Sequence, residues 1–375
     1  MINERVQAIL DRAVDRHAVA GANVVASRDG VEILYAEAGW ADIKAQKRIQ
    51  RDTIFHIYSM TKPVTAAAVV KLAEEGELDL LEPVADFLPS FAEARVGGQP
   101  PARDVVVADL LTMTSGVPYP SETEAGRRVA DVFASPLGTV EFANAIGRAG
   151  LDFSPGERFL YGAGADVAGA IVEVVTGRRL GDYLAEAFFQ PLGMKDTGFC
   201  LPDGAASRLA EVYEQTPDGL RLTRQDNLAV TNAATARPAF ESGGAGLLST
   251  VDDYHKFAQM LLAGGTAGGH RLLSERSIHW LTQNQLEPHQ AESFHREMPH
   301  LRGHGYGGFL RVMTSVGQSG QFGSRGEYGW DGWLGAYFVN DPATGLSLVF
   351  LTHRVDSGTL PLARQVKNAV VASLG

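Results

Sequence analysis

Phe55-His56-Ile57-Tyr58-Ser59-Met60-Thr61-Lys62-Pro63-Val64-Thr65 holds a serine and a lysine three positions apart at the head of an apolar run. Over 61–75 the apolar residues Val64, Ala67, Ala68 and Leu72 recur at helical spacing. Glu75-Gly76 ends the run with the residue type that best accepts a left-handed C-terminal cap. The spacing predicts a helix over 61–75 with Ser59 at its start. Positions i and i+3 share a helix face, so the Lys62 amine reaches back toward the Ser59 hydroxyl. A serine hydroxyl is a poor nucleophile at neutral pH unless a base lies within hydrogen-bond reach and is partly unprotonated. Burial of Lys62 or a nearby cation would supply that condition by lowering its pKa, and the helix N-terminus places partial positive charge beside a developing oxyanion. Ser-x-x-Lys is a short pattern that also arises by chance on a solvated helix face, and the pair alone is compatible with either origin. The flanks favour burial, being mostly apolar or small, and of the seven lysines only Lys62 has a serine three positions before it.

Working outward, residues 23–27 and 31–36 read as strands around an Arg28-Asp29-Gly30 turn, preceded by an amphipathic helix at the N-terminus. The stretch 76–234 is mostly helical segments broken by Pro and Gly, among them 105–113, 139–149, 165–176 and 180–188. After a helix at 251–262, the runs 335–340 and 346–352 read as strands flanking the turn at 341–345, and a last helix spans 360–373. The expected organisation is an α/β domain built from both ends of the chain, residues 1–75 plus 235–375, with a mainly helical domain inserted at 76–234. The active site is expected at their junction, where pockets commonly form. Residues 283–308, rich in His, Glu and Pro, read as a mobile loop.

Composition narrows the function. With 33 basic and 44 acidic residues the formal charge is −11, which offers no electrostatic basis for binding nucleic acid or an anionic membrane. No apolar run approaches the ~20 residues of a membrane span, the N-terminus lacks the pattern of a secretory signal, and Cys200 stands alone. A cytoplasmic location is expected; the oligomeric state is left open. The elbow Gly-x-Ser-x-Gly is absent, as is HExxH. His289, His295, His300 and His304 match no standard ligand spacing, so no metal is expected. Gly303 to Gly308 fits GxGxxG by spacing but joins no strand to a helix, so no nucleotide cofactor is expected either.

The opening stretch, followed by Leu72-Ala73-Glu74-Glu75-Gly76-Glu77-Leu78-Asp79-Leu80 and Val84-Ala85-Asp86-Phe87-Leu88-Pro89, resembles the serine β-lactamase-related family. So do Leu110-Leu111-Thr112-Met113-Thr114-Ser115-Gly116, Ser154-Pro155-Gly156-Glu157-Arg158-Phe159-Leu160-Tyr161, Pro191-Leu192-Gly193-Met194 and Gly243-Gly244-Ala245-Gly246. The resemblance implies a β-lactamase/transpeptidase-like α/β fold, an antiparallel sheet flanked by helices with the inserted helical domain. It implies that Ser59 is acylated and that Lys62 accepts its proton together with Tyr161, a phenol that would shuttle the proton to the leaving group. A tyrosine can do this only if a neighbouring ammonium, here Lys62, lowers its pKa. The family's third motif, Lys-Thr-Gly in lactamases, reads Trp330-Asp331-Gly332 here. This alignment implies an oxyanion hole from the backbone N–H groups of Ser59 and Trp333, and a glycine at 332 that lets substrate lie close to the strand.

Two departures point toward esters. Tyr161-Gly162-Ala163 replaces the lactamases' Tyr-x-Asn, leaving a methyl where a side chain would bind an amide and steady the lysine. Trp330 replaces the lysine that would hold a substrate carboxylate. Asp331 either faces the pocket, where it would repel anions and hold an ammonium group, or turns into solvent. The reading is a carboxylesterase resembling family VIII, cleaving small uncharged esters without cofactor. The alternatives are a β-lactamase, a D-aminopeptidase or amidase, an acyltransferase, and an inactive ligand-binding protein on the same fold.

Overall fold

The computed structural model describes residues 2–358 and 360–374. The turn expected at Asp29-Gly30 joins strand β1 (Gly21–Arg28) to β2 (Val31–Asp42), with both turn residues at positive φ, 50° and 79°, as a two-residue hairpin connection requires. A short β3 (Lys47–Arg48) follows. The chain returns to this sheet only with β4 (His304–Gly307), β5 (Leu310–Met313), β6 (Tyr328–Asp331), β7 (Tyr337–Asp341) and β8 (Leu346–Thr352). The eight strands run β4-β5-β6-β7-β8-β1-β2-β3, every pair antiparallel. β1 thus lies between β2 and β8, with Val25 opposite Tyr35 on one side and Val349 on the other, so the two ends of the chain are stitched into one sheet.

Both faces of the central strands are covered, which is why β1 and β8 read as near-continuous apolar runs. The helices that matter for the site are α1 (Ile2–Asp15), α2 (Thr61–Glu75), α3 (Gly164–Thr176), α4 (Val251–Leu262), α5 (Pro288–Glu297) and α6 (Pro361–Val371). On one face Val24, Ala26, Leu348 and Phe350 pack with Val6 and Leu10 of α1 and with Val366 and Val370 of α6. The alternate residues Val25, Phe338, Val349 and Leu351 join a larger core containing α2, α3 and α4. Helices within 84–192 share that core, so the sheet's inner face and the helical layer are one hydrophobic body. Residues 205–222 follow a different course. A 3₁₀ turn at Ala205–Arg208 and a hairpin of Tyr213–Thr216 with Gly219–Leu222 run beside Ile54 and Arg354.

The helix expected over 61–75 has those bounds, and Gly76 caps it at φ 77°. Eleven of its fifteen residues are buried, Lys62 among them. A solvated face for Ser-x-x-Lys is therefore excluded. The expected loop at 283–308 is a correction: it contains α5, a 3₁₀ turn at Pro299–Leu301 and strand β4. Its structure escaped the sequence because only Gln290 and Phe294 of α5 are buried, too few to show a period, while its histidines cap backbone. His289 pairs with the Gly156 carbonyl oxygen, His295 with that of His304 and His304 with that of Arg302. The GxGxxG spacing spans strand β4 and the start of its turn into β5, and joins no strand to a helix.

The C-terminal helix is locked to the sheet by a fully buried ion pair between Lys367 and Glu327, with Gln321 as a further acceptor for the amine. Removing one member strands the other charge in the core. Lys367→Met should lower stability by about 3–5 kcal/mol in denaturant unfolding. Lys367→Met/Glu327→Leu should recover most of the loss.

Candidate active site

Ser59 lies in a one-turn 3₁₀ helix, Tyr58–Met60, between a two-residue bridge of Phe55–His56 with Leu248–Ser249 and the first turn of α2. Pro63 is accommodated there because first-turn N–H groups have no intrahelical acceptor. Tyr58 carries φ 43°, a left-handed conformation unfavourable for a bulky residue. The surroundings hold it. Its ring packs edge-on to Trp333 at 5.1 Å, and its hydroxyl donates to Asn232 Oδ1 at 3.4 Å. His56 contacts the carbonyl of the same Asn232 at 3.3 Å, and Tyr254 donates to the Met60 carbonyl at 2.8 Å. The nucleophile's turn is thus fixed on both sides.

The Lys62 amine is fully buried and donates to Ser59 Oγ at 3.1 Å, Tyr119 hydroxyl at 2.9 Å and the Gly244 carbonyl at 2.8 Å. Burial pulls its pKa down to about 7, against the opposing pull of the Asp166 carboxylate. A substantial neutral fraction at physiological pH is what a base needs. Asp166, on the first turn of α3, is itself buried, and desolvation raises its pKa against the influence of Lys62. One of its oxygens accepts from Ser242 Oγ at 2.5 Å and from the Gly244 N–H at 3.0 Å. The Gly243-Gly244 segment threads between α3 and Lys62. A Cβ on Gly243 would lie 2.5 Å from the Ala165 carbonyl, and one on Gly244 2.9 Å from Asp166. With Ala163 in place of an asparagine, the lysine is steadied by this backbone carbonyl and by Tyr119.

Tyr161 borders the same cavity as Ser59, and its hydroxyl accepts the Trp330 indole N–H at 3.1 Å. The expectation that Lys62 lowers its pKa is corrected. The amine sits over the Tyr161 ring, 4.7 Å from its centre, and burial raises the phenol above its ordinary value despite hydrogen bonding with Ser59 and Trp330. Tyr119 is the residue that sequence reasoning missed. Its place in Pro118-Tyr119-Pro120, just after Thr114-Ser115-Gly116, signalled a bend, but nothing local says that the bend brings a phenol onto Lys62.

A cavity of about 500 Å³ opens above Ser59. Its walls include Tyr58, Tyr119, Phe133, Tyr161, Leu228, Met298, Trp330 and Trp333, with Asn227, His300, Asp331 and Asp356 as polar points. Trp330, Asp331, Gly332 and Trp333 therefore all border the space beside Ser59. Asp331 resolves between its two expected orientations. It borders the cavity, yet its Oδ1 accepts from Arg311 at 2.8 Å, a buried guanidinium that also donates to the Phe338 carbonyl. Its charge is already compensated. Gly332 also has a reason beyond substrate approach, since a Cβ there would lie 2.3 Å from the Ile57 carbonyl. The glycine lets the end of β6 close onto the turn that carries Ser59.

For a serine activated by neutral Lys62, kcat/KM should fall about tenfold per pH unit below pH 7 and level off above it. The Asp166 charge favours the ammonium form, so Asp166→Asn should move that acid limb to lower pH. An unmoved limb in the pH profile would mean Asp166 carries no charge beside Lys62.

The model of the Beta-lactamase family matches residues 6–372. Esterase EstB of Burkholderia gladioli is 30% identical over 394 aligned residues, covering 98% of this chain and 95% of EstB. A lovastatin esterase of Penicillium rubens is 28% identical over 353 residues, covering 82% of this chain and 83% of that protein. Among solved structures, EstCE1, described as a hydrolase with promiscuous acyltransferase activity, superposes with a TM-score of 0.86 at 26% identity, covering 98% of each chain. The antiparallel sheet with its helical layers agrees with the fold of EstCE1, and the chain belongs to the Beta-lactamase family.

Proposed function

We propose that the chain is a carboxylesterase of the β-lactamase-like type, hydrolysing small uncharged esters through an acyl-Ser59 intermediate without a cofactor. The observation that carries the choice of substrate is the charge of the cavity: among the described residues its lining holds no lysine or arginine, and its two carboxylates are Asp331 and Asp356. A β-lactam or peptide presents a carboxylate that no lysine or arginine in these walls holds. The Arg311 pairing of Asp331 likewise weakens the ammonium-binding reading, since the acid has no unmet charge to offer. The relatives named as esterases support the same reading.

In this reading neutral Lys62 takes the Ser59 proton as Oγ attacks the ester carbonyl. The oxyanion is met by the backbone N–H groups of Ser59 and Trp333, and Tyr161 acts on the serine side with Trp330 holding its hydroxyl. Residues 76–234 are the inserted domain and 1–75 with 235–375 the α/β domain, the cavity drawing its walls from both. No helix among the described residues is long and apolar enough to cross a membrane, and the reading assigns the enzyme to the cytoplasm.

Purified protein should turn over a short-chain nitrophenyl ester far faster than a chromogenic cephalosporin; faster lactam turnover would overturn the choice of ester. A fluorophosphonate should label Ser59 stoichiometrically by mass spectrometry. Ser59→Ala should abolish turnover while leaving the melting temperature within a few degrees.

A further inference from the structure

The two N–H groups assigned to the oxyanion hole sit on separate turns, Ser59 on the nucleophile's turn and Trp333 between β6 and β7. Their spacing depends on what ties those turns together. Among the described residues no acceptor meets the Trp333 N–H, and Trp333 borders the cavity beside Ser59. The direction of that N–H is fixed through the preceding peptide. In a trans peptide it points opposite to the Gly332 carbonyl, which accepts the Gly335 N–H at 2.8 Å. Residues 354–358 then grip the turn from outside. The Ser357 N–H donates to the Trp333 carbonyl at 3.1 Å, the Arg354 N–H to the Leu334 carbonyl at 3.2 Å, and the Trp333 indole N–H to Asp356 Oδ1 at 2.5 Å. This segment is itself anchored, Val355 donating to the Tyr213 carbonyl at 2.8 Å and the Arg354 guanidinium to the Ala18 carbonyl at 2.9 Å. Asp356 aims its carboxylate from a left-handed conformation, φ 55°, which an aspartate tolerates better than most side chains. The Trp333 ring also packs edge-on to Tyr58 at 5.1 Å, and Tyr58 immediately precedes Ser59.

We propose that Asp356 is a positioning residue for ester hydrolysis: by holding the Trp333 indole against Tyr58, it sets the spacing of the two oxyanion N–H groups. The indole is the link, tied at its nitrogen to Asp356 and in contact through its ring with the residue before the nucleophile. Released from Asp356, the indole no longer braces Tyr58, whose left-handed backbone needs its neighbours to hold it. Donors serve an oxyanion only at roughly 2.7–3.1 Å, so a shift of a fraction of an ångström weakens the hole. An oxyanion forms once in acylation and once in deacylation, and both steps use the same two donors. A loosened hole therefore slows both alike, lowering kcat and leaving KM nearly unchanged. This inference rests on the esterase reading above and on the oxyanion hole within it.

The test is steady-state turnover of 4-nitrophenyl acetate together with inhibition by phenylboronic acid, whose tetrahedral adduct on Ser59 puts a hydroxyl where the oxyanion forms. Asp356→Ala should lower kcat about tenfold or more with KM changed less than about threefold, and should weaken phenylboronic acid by about the same factor as kcat. Asp356→Asn keeps an oxygen for the indole N–H and should stay within about threefold of the unmodified enzyme. Trp333→Phe keeps a ring against Tyr58 but loses the N–H; it should match Asp356→Ala, and adding it to Asp356→Ala should cost less than about a further twofold. Asp356 is exposed, so its variants should melt within a few degrees of the unmodified protein, which separates positioning from loss of fold. An unchanged kcat in Asp356→Ala, equal losses in Asp356→Asn and Asp356→Ala, a loss confined to KM, or multiplying losses in the double variant would each overturn the proposal. Failure of the esterase reading looks different: the unmodified enzyme would then neither hydrolyse the ester nor take a fluorophosphonate on Ser59.

Discussion

A single lysine amine without access to water sets the terms for the rest of the site. A primary amine withdrawn from solvent keeps its charge only at a cost, and here three hydrogen-bond acceptors and one buried carboxylate offset that cost without abolishing it. Desolvation dominates, and the amine is left near neutrality in the physiological range. The neighbouring structure follows from holding that balance. Two glycines are needed so that a backbone carbonyl can pass between α3 and the lysine, and Asp166 is needed to hold that backbone through the Gly244 N–H and Ser242. Had the lysine been one position away, it would have pointed at a different face of α2 and met none of them.

The serine is positioned by a second constraint. Tyr58 is held in a left-handed conformation by Trp333 on one side and Asn232 on the other, and the end of β6 closes onto Ile57 at a glycine. Backbone strain next to the nucleophile is stable only because buried neighbours over-determine it. The same Asn232 is gripped by His56, and its segment leads to Asn227 and Leu228 in the cavity wall. The turn that carries the nucleophile and the wall that meets the substrate are therefore one mechanical unit.

Charge is managed in pairs behind the walls. Arg311 reaches under β6 to Asp331, and Lys367 meets Glu327 where α6 docks on the sheet. Neither cation opens into the cavity, whose lining is largely aromatic and apolar. The absence of lysine and arginine from the described cavity lining thus comes from where the sheet directs these side chains, and not from a shortage of basic residues in the chain.

The sequence by itself determined much of this protein. Apolar periodicity and turn chemistry gave the β1–β2 hairpin, α2 with its Gly76 cap and the pair of C-terminal strands, because each depends on interactions within a few residues. Ser59 and Lys62 were legible as a spaced pair, whereas Tyr161 and Trp330-Asp331-Gly332 were legible only through the resemblance of their flanking stretches to the family's motifs. α5 was not legible, because a helix with two buried residues carries almost no period. The tertiary structure alone decided that Lys62 bonds to Tyr119 while Tyr161 offers it only a ring face, and that Asp331 is claimed by Arg311 from a neighbouring strand. Those outcomes join residues 57 and 20 positions apart. They depend on which side chains share one small volume after packing, and no local pattern of residues encodes that.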